Sequence, residues 1–365
     1  MKIYYLINGF NGGGAALPVP ELISVMRSCG HTVKVYGLML QDGKACANFE
    51  RAGVEYEVLG RGKWDIAASW MKLLNSLKRD APDLIWTSLT RATLFGQLAG
   101  KKLSIPVVSW QHSAFLKSSN LFLLRRTRHL THRWLADSEN VRAYVVNQMG
   151  VNPERVSIWP MFQVQADASK SLPWPGHGPV RIGSLGRLHV NKRYDSLVRA
   201  AALVQQKHPD LAGRIEFVVG GVGPELYGLE SLLDKLGVKN FKFVGFVDEP
   251  AEFLKGLHIY IQTSHHEGLC IAAHEAMRSA LPVIATRVGQ LRHSIIDGKT
   301  GILCDVGDDN ALADAIVSLV REPGRAHVMG TAALERVTSL FSPDVFRRSG
   351  ESFLRMLEAE LLRPD

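Results

Sequence analysis

The feature that most constrains this chain is an alternation of strand-like and helix-like segments that runs, weakens and starts again. KIYYLI, HTVKVYGL, EYEVLG, DLIWTS and PVVSWQH are short runs rich in β-branched and aromatic residues. Helix-patterned stretches lie among them, from about Pro20 to Cys29, in DIAASWMKLLNSLKR and around ATLFGQLAGKKL. Such alternation predicts a doubly wound parallel sheet. The rhythm weakens over Gln163 to Pro179, QVQADASKSLPWPGHGP, which is rich in proline, glycine and small polar residues. It restarts with VRIGSLGRL, RYDSLVRAAALVQQKH, RIEFVVGG, LESLLDKLG, FKFVGFV and GLHIYIQTS. With 365 residues, the chain exceeds the size at which one core usually stops growing. The reading is an α/β protein of two Rossmann-like doubly wound domains, residues 1–162 and 180–342, joined by a linker at 163–179. The last helical stretch, 343–365, is expected to pack back on the first domain.

Hydrophobic residues make up 46% of the chain, which is ordinary for a soluble protein, and no apolar run approaches the roughly 20 residues needed to cross a bilayer. MKIYYLINGFNGGG reads as a buried strand entering a loop rather than a signal peptide, so a cytoplasmic location is expected. Cys29, Cys46, Cys270 and Cys304 have neither metal nor redox spacing. The formal charge of +8 implies attraction to phosphate in nucleic acid, in anionic lipid headgroups or in a substrate. The usual nucleic-acid modules are missing and the basic density is concentrated in one segment, so nucleic acid is not the expected partner.

The stretch HHEGLCIAAHEAM, His265 to Met277, holds Glu267 and Glu275 eight positions apart. On one continuous helix they would diverge by about 80°. If Glu267 and Gly268 form the loop entering the helix and Glu275 lies inside it, both acids can face one ligand. The loop at the carboxyl end of a strand is where open α/β sheets bind ligands. Arg187 and Lys192, in GSLGRLHVNKR, lie just beyond another predicted strand. With the amides of Glu267, Gly268 and Leu269 at the helix start, they would make a pyrophosphate site. Taken singly, the cations also fit a solvated surface, and the acids fit an ordinary helix N-terminus.

The set Gly12-Gly13-Gly14, Gly186-Arg187-Leu188 with Lys192, and Glu267 spaced eight from Glu275 resembles family 4 of the retaining GT-B glycosyltransferases (glycosyl transferases group 1). GHTVKVYG, VVGGVGPE, FVGFVDE, and PVIATRVGQ followed by DGKTGIL extend the likeness over essentially the whole chain. The resemblance implies a GT-B fold, with two domains facing across a cleft. It also implies a nucleotide-sugar donor in the second domain and an acceptor held mainly by the first. By the family pattern Arg187 and Lys192 hold the diphosphate, Glu275 the ribose and Glu267 the transferred sugar, with Gly268, Leu269 and Cys270 lining the donor site and Gly245 to Val247 near the base. His112, in WQHSAF, is expected to approach the donor sugar, and Gly13 and Gly14 to let backbone approach the ligand closely. Ala15-Ala16 stand where the family often has a glutamate, Cys270 where proline or another small residue is common, and Gln290 where a second glycine is frequent. No Asp-any-Asp triplet occurs, so transfer is expected to need neither metal nor cofactor.

From Phe115 to Leu135, FLKSSNLFLLRRTRHLTHRWL carries Lys117, Arg125, Arg126, Arg128 and Arg133 among apolar residues. This is the pattern of a helix that lies on anionic membrane, though a solvated or core-packed helix has it too. The expectation is a retaining, metal-independent enzyme, peripheral on the inner face of the cell membrane. Its acceptor would be a glycan or lipid-linked chain in lipopolysaccharide, exopolysaccharide or glycolipid synthesis. A nicotinamide enzyme lacks its Gly-x-Gly-x-x-Gly signature here. A glycosidase would not set its acids around a phosphate site. An inactive sugar-nucleotide-binding protein and a nucleic-acid-binding protein are the alternatives.

Overall fold

The computed structural model describes residues 1–12, 15–62, 65–164 and 170–361. The chain divides into two units: Met1–Gln163 together with the segment from Pro343 onward, and Val164–Ser342.

In the first unit the apolar runs form β1 (Lys2–Gly9), β2 (Thr32–Met39), β3 (Tyr56–Gly60), β4 (Leu84–Ser88), β5 (Val107–Gln111), β6 (Arg133–Ala136) and β7 (Val156–Ile158). They pair in parallel, in the order β3-β2-β1-β4-β5-β6-β7. The order reverses between β1 and β4, so crossovers from these two strands leave to opposite faces and a crevice opens outside their carboxyl ends. The C-terminal helix Pro343–Leu361 belongs to this unit. Its Phe346, Phe353, Leu354 and Leu357 share one core with Trp86, Trp110 and Trp159. Close contact is possible because Gly350 presents no side chain: a Cβ there would lie 2.3 Å from Trp159.

The basic segment is not one helix. A helix spans Ser118–Thr127, a single turn covers Arg128–Leu130, and the chain then enters β6. The reason is the alternation of buried side chains. Leu135 joins the core that holds Ile3 and Trp86, whereas Trp134 and Ala136 join a separate one with Val141 and Met149.

The second unit is built from β8 (Val180–Leu185), β9 (Ile215–Gly220), β10 (Phe241–Phe243), β11 (Ile259–Gln262), β12 (Val283–Thr286) and β13 (Ile302–Cys304). Its parallel order, β10-β9-β8-β11-β12-β13, reverses between β8 and β11. β10 is shorter than FKFVGFV suggests, because the chain turns at Gly245, whose φ is 76°. The second half of the expected linker is part of this unit. Ser171 N donates to Ser279 O at 2.8 Å, and Trp174 packs on the core under Arg214, 5.3 Å away. Residues 165–169 lie outside the described set. No helix is long and apolar enough to cross a membrane among the described residues.

Candidate active site

The carboxyl ends of β8 and β11, at the reversal of the second sheet, carry the motifs. After β8 the chain runs through Gly186, Arg187 and Leu188 to a turn at Val190–Lys192. This loop lies directly against the one after β9. Gly186 N donates to Gly220 O at 2.9 Å and Leu188 N to Val222 O at 3.0 Å. A Cβ at Gly221 would sit 2.0 Å from Gly186 O, and one at Gly223 2.0 Å from Leu188 O, which explains two of the three glycines of VVGGVGPE by backbone contact.

After β11 the chain passes Thr263 to Leu269 and enters the helix Ile271–Arg278, with Glu267 in the loop and Glu275 inside the helix. Lys192 Nζ donates to Glu267 Oε1 at 2.7 Å, and their side chains are only 21% and 10% exposed. Burial opposes the Lys192 ammonium, but the Glu267 carboxylate together with Cys270 and Tyr194 more than offsets this and holds its pKa above the ordinary lysine value. Further bonds fasten the two loops. His265 N donates to Asn191 O at 2.8 Å, Asn191 Nδ2 to His266 O at 2.8 Å, and Thr263 Oγ1 to Lys192 O at 2.8 Å. Arg187 is exposed, and its guanidinium forms no ion pair among the described residues. Glu275 is partly buried, and burial raises its carboxyl pKa, with Arg278 opposing. An acid so placed gains from hydroxyls brought by a ligand.

The entry to the helix is constrained from below. Cys270 holds a left-handed conformation, φ 63°, costly for a residue with a side chain. His274, fully buried, places Nδ1 2.9 Å from Cys270 O and Nε2 2.8 Å from Ser294 Oγ. A carbonyl only accepts, so Nδ1 carries the proton and Nε2 accepts from Ser294. Burial pushes the His274 pKa down to about 4, keeping the ring neutral. Gly268 and Leu269 are buried; Gln290 N donates to Gly268 O at 2.9 Å, and a Cβ on Gly289 would lie 2.5 Å from Glu267 O. The first-turn amides of the helix point out of its N-terminus, where anions are stabilised. Gly245 O accepts from Gly221 N at 2.6 Å, and Val247 lies over Gly220 at the end of β9.

In the first unit His112 follows β5. Its Nδ1 lies 3.0 Å from both oxygens of Asp137, and its Nε2 forms a short bond with Ser88 Oγ. The ring is thus held at both nitrogens by residues at the ends of β4 and β6. Gly13 and Gly14 lie outside the described residues.

The basic set narrows. Arg125 Nε donates to Gln148 O at 2.6 Å and Arg128 Nε to Gly150 O at 2.8 Å, capping carbonyls at the end of a neighbouring helix. Arg133 lies on β6 and pairs with Glu360 of the C-terminal helix. Arg133 is thus compensated within the fold, whereas Arg125 and Arg128 bond only to neutral carbonyls and keep their charge exposed. Lys117 and Arg126 are exposed; Arg126 sits 5.3 Å above the Phe122 ring, near exposed Phe115 and Leu123.

Residues with no recognised motif complete the picture. Ser88 and Asp137 around His112, and Asn191 and His274 around the loop, each meet at least one partner twenty or more positions away, whereas Ser264 acts on neighbours in its own loop. One signal was present: Tyr260 and Gln262 are polar at alternate positions of the strand, with Ser264 continuing the alternation beyond its end.

Two family models match: one described as Glycosyltransferase Family 4 over residues 12–162, and one described as Glycosyl transferases group 1 over residues 168–336. A D-inositol 3-phosphate glycosyltransferase of Thermobifida fusca is 28% identical over 230 residues, 58% of this chain and 52% of its own length. One from Kribbella flavida is 32% identical over 42% of this chain and 38% of its own. The chain thus spans about half or less of the length of these relatives. A third, from Pseudarthrobacter chlorophenolicus, is 24% identical over 89% of this chain and 86% of its own. Among solved structures, Anabaena HepE in complex with UDP-glucose has a TM-score of 0.84 at 19% identity, covering 97% of this chain and 100% of that one. The lipopolysaccharide outer core galactosyltransferase WaaB has a TM-score of 0.75 at 16% identity, covering 97% and 100%. The shared architecture is GT-B.

Proposed function

The chain belongs to the family 4, group 1 glycosyltransferases, and on that premise we propose that it transfers a sugar from a nucleotide-sugar donor, with retention and without a metal, to a lipid-linked glycan or glycolipid. The observation that carries this reading is the convergence at the β8/β11 reversal of Lys192 on Glu267, exposed Arg187 and a helix N-terminus. Cleaving the anomeric bond leaves negative charge on the departing diphosphate and positive charge on the sugar ring. Fixed cations and helix-start amides stabilise the former in place, with little reorganisation. Arg187 and Lys192 take the diphosphate, the amides of Gly268, Leu269 and Cys270 its oxygens, and Glu275 the ribose hydroxyls. Glu267 takes hydroxyls of the transferred sugar, and Gly245 and Val247 border the base. His112 serves the transfer from the first unit, which holds the acceptor. The exposed Lys117, Arg126, Phe115 and Phe122 favour a contact with anionic lipid at the inner face of the membrane.

A thermal-shift screen against UDP-, GDP- and ADP-sugars tests the donor. Stabilisation by one nucleotide sugar, lost in Arg187→Ala and Glu275→Ala, is expected; no response to any of them overturns the reading. Turnover unchanged by EDTA and an NMR spectrum showing the donor's anomeric configuration in the product are expected of metal-free retention. Flotation with anionic but not neutral vesicles, weakened in Lys117→Glu/Arg126→Glu, is expected of the lipid contact, and equal recovery with both vesicles overturns it.

A further inference from the structure

Beneath the loop that carries Glu267 runs a buried line of hydrogen bonds. Tyr260, Gln262 and Ser264 occupy alternate positions along β11 and its end, so their side chains share one face of the sheet. All three are fully buried. The Tyr260 hydroxyl accepts from Leu185 N at 3.3 Å and stands 3.2 Å from Leu185 O and 3.0 Å from Gln262 Oε1. Gln262 Nε2 donates to Ser264 Oγ at 2.8 Å. The Ser264 hydroxyl, its oxygen already accepting from Gln262, donates to Glu267 Oε1 at 2.5 Å. The line starts at the last residue of β8, from which the Arg187 loop departs, and ends on the carboxylate that also receives Lys192.

From Gln262 to Glu267 the donors and acceptors are ordered, and that gives the line its direction. A carboxylate can only accept, so the Ser264 proton must point to Glu267. The Gln262 amide is oriented with its nitrogen toward Ser264 and its oxygen toward Tyr260. Buried polar groups arranged this way resist reorientation, because turning any one leaves another unpaired away from water. An apolar strand would pack as well without them. Lys192 also donates to Glu267 Oε1, but an ammonium on a flexible stem tolerates many carboxylate orientations. The short Ser264 bond removes that freedom.

We propose that Ser264, held in turn by Gln262 and Tyr260, is a positioning residue that sets the orientation of the Glu267 carboxylate toward the transferred sugar. The inference rests on the donor reading given above. Its consequence is selective: losing the Ser264 hydroxyl harms recognition of the sugar and leaves recognition of the nucleoside diphosphate intact.

Calorimetric binding of UDP-, GDP- and ADP-glucose beside UDP, GDP and ADP, on the full chain, tests this together with steady-state turnover. For Ser264→Ala the preference for nucleotide sugar over its nucleoside diphosphate falls roughly 10-fold or more, and kcat falls more than KM rises, while diphosphate affinity stays within about 2-fold. Ser264→Thr, which keeps the hydroxyl, restores most of the preference. Gln262→Met, of similar volume, gives a smaller loss in the same direction and carries the test where Ser264→Ala fails to fold. A preference unchanged in both Ser264→Ala and Gln262→Met, with Glu267→Gln abolishing it, overturns the positioning role alone. A preference unchanged in Glu267→Gln as well overturns the donor reading on which it stands.

Discussion

Replacing Lys192 by methionine removes the ammonium while keeping most of the side chain's volume, so its effect isolates the charge pair with Glu267. Breaking a buried ion pair costs about 3–5 kcal/mol where the remaining charge is sealed from water. Here the two side chains retain 21% and 10% exposure, and Ser264 still donates to the carboxylate, so the expected loss is about 2–3 kcal/mol. For a unit of this size that lowers the melting temperature by roughly 5–10 °C. Glu267→Gln costs less, about 1–2 kcal/mol, because an amide oxygen still accepts from Ser264 and Lys192. In the double variant no charge is left uncompensated, so its loss falls short of the sum by about 1–3 kcal/mol. Calorimetry reads the cycle. Among the described residues five of the six tryptophans, all but Trp174, belong to the first unit, so a fluorescence melt identifies that unit's transition and leaves the other to the second. The raised Lys192 pKa makes the pair's contribution complete below the ordinary lysine value of 10.5 and lost only as pH rises through the raised one. The gap between wild type and Lys192→Met is therefore constant across about pH 6 to 9. Strict additivity, or a Lys192→Met protein as stable as wild type, would refute the argument that the pair is buried and coupled.

His274 has a folded pKa of about 4, below the ordinary 6.5, so the stability from its neutral ring is complete above about pH 6.5 and lost as pH falls through 4, up to roughly 3 kcal/mol. Urea unfolding across that range should show a steep acid loss, flattened in His274→Leu; parallel profiles count against it. Burial raises the Glu275 pKa, which marks a desolvation cost for its carboxylate in the fold, so Glu275→Gln should slightly stabilise the free protein while weakening nucleotide-sugar binding by about tenfold. Thermal shift with and without donor separates the two effects, and a variant that loses stability but keeps affinity contradicts both. Gly350→Ala gains about 1 kcal/mol of helix propensity, yet its Cβ meets Trp159, which Trp110, Trp86 and Phe346 enclose. Overpacking wins, with a net loss of about 1–2 kcal/mol in a fluorescence-monitored denaturation. A gain in stability there means that the helix is free to lift.

The donor motifs were legible because their chemistry is local. Glu267, Gly268 and the helix that follows are consecutive, and so are Gly186, Arg187 and the turn to Lys192. The basic segment is the opposite case. Composition shows cations near leucines, but not that Arg125 and Arg128 cap carbonyls at 148 and 150, or that Arg133 meets Glu360. A strand of four residues, Arg133–Ala136, is too short to reveal its alternation against a longer helical pattern.

By itself, then, the order of residues determined the strands, the helices, their alternation and the types of side chain at their loop ends, since each depends on neighbours within a few positions. Strand order decided the rest. Because β11 lies beside β8, Lys192 and Glu267, 75 positions apart, share one ion pair. Because β4, β5 and β6 are adjacent, Ser88, His112 and Asp137 line up in one hydrogen-bonded row. Such contacts arise from burial and pairing across the sheet, and no local pattern in the chain encodes which distant partner will arrive.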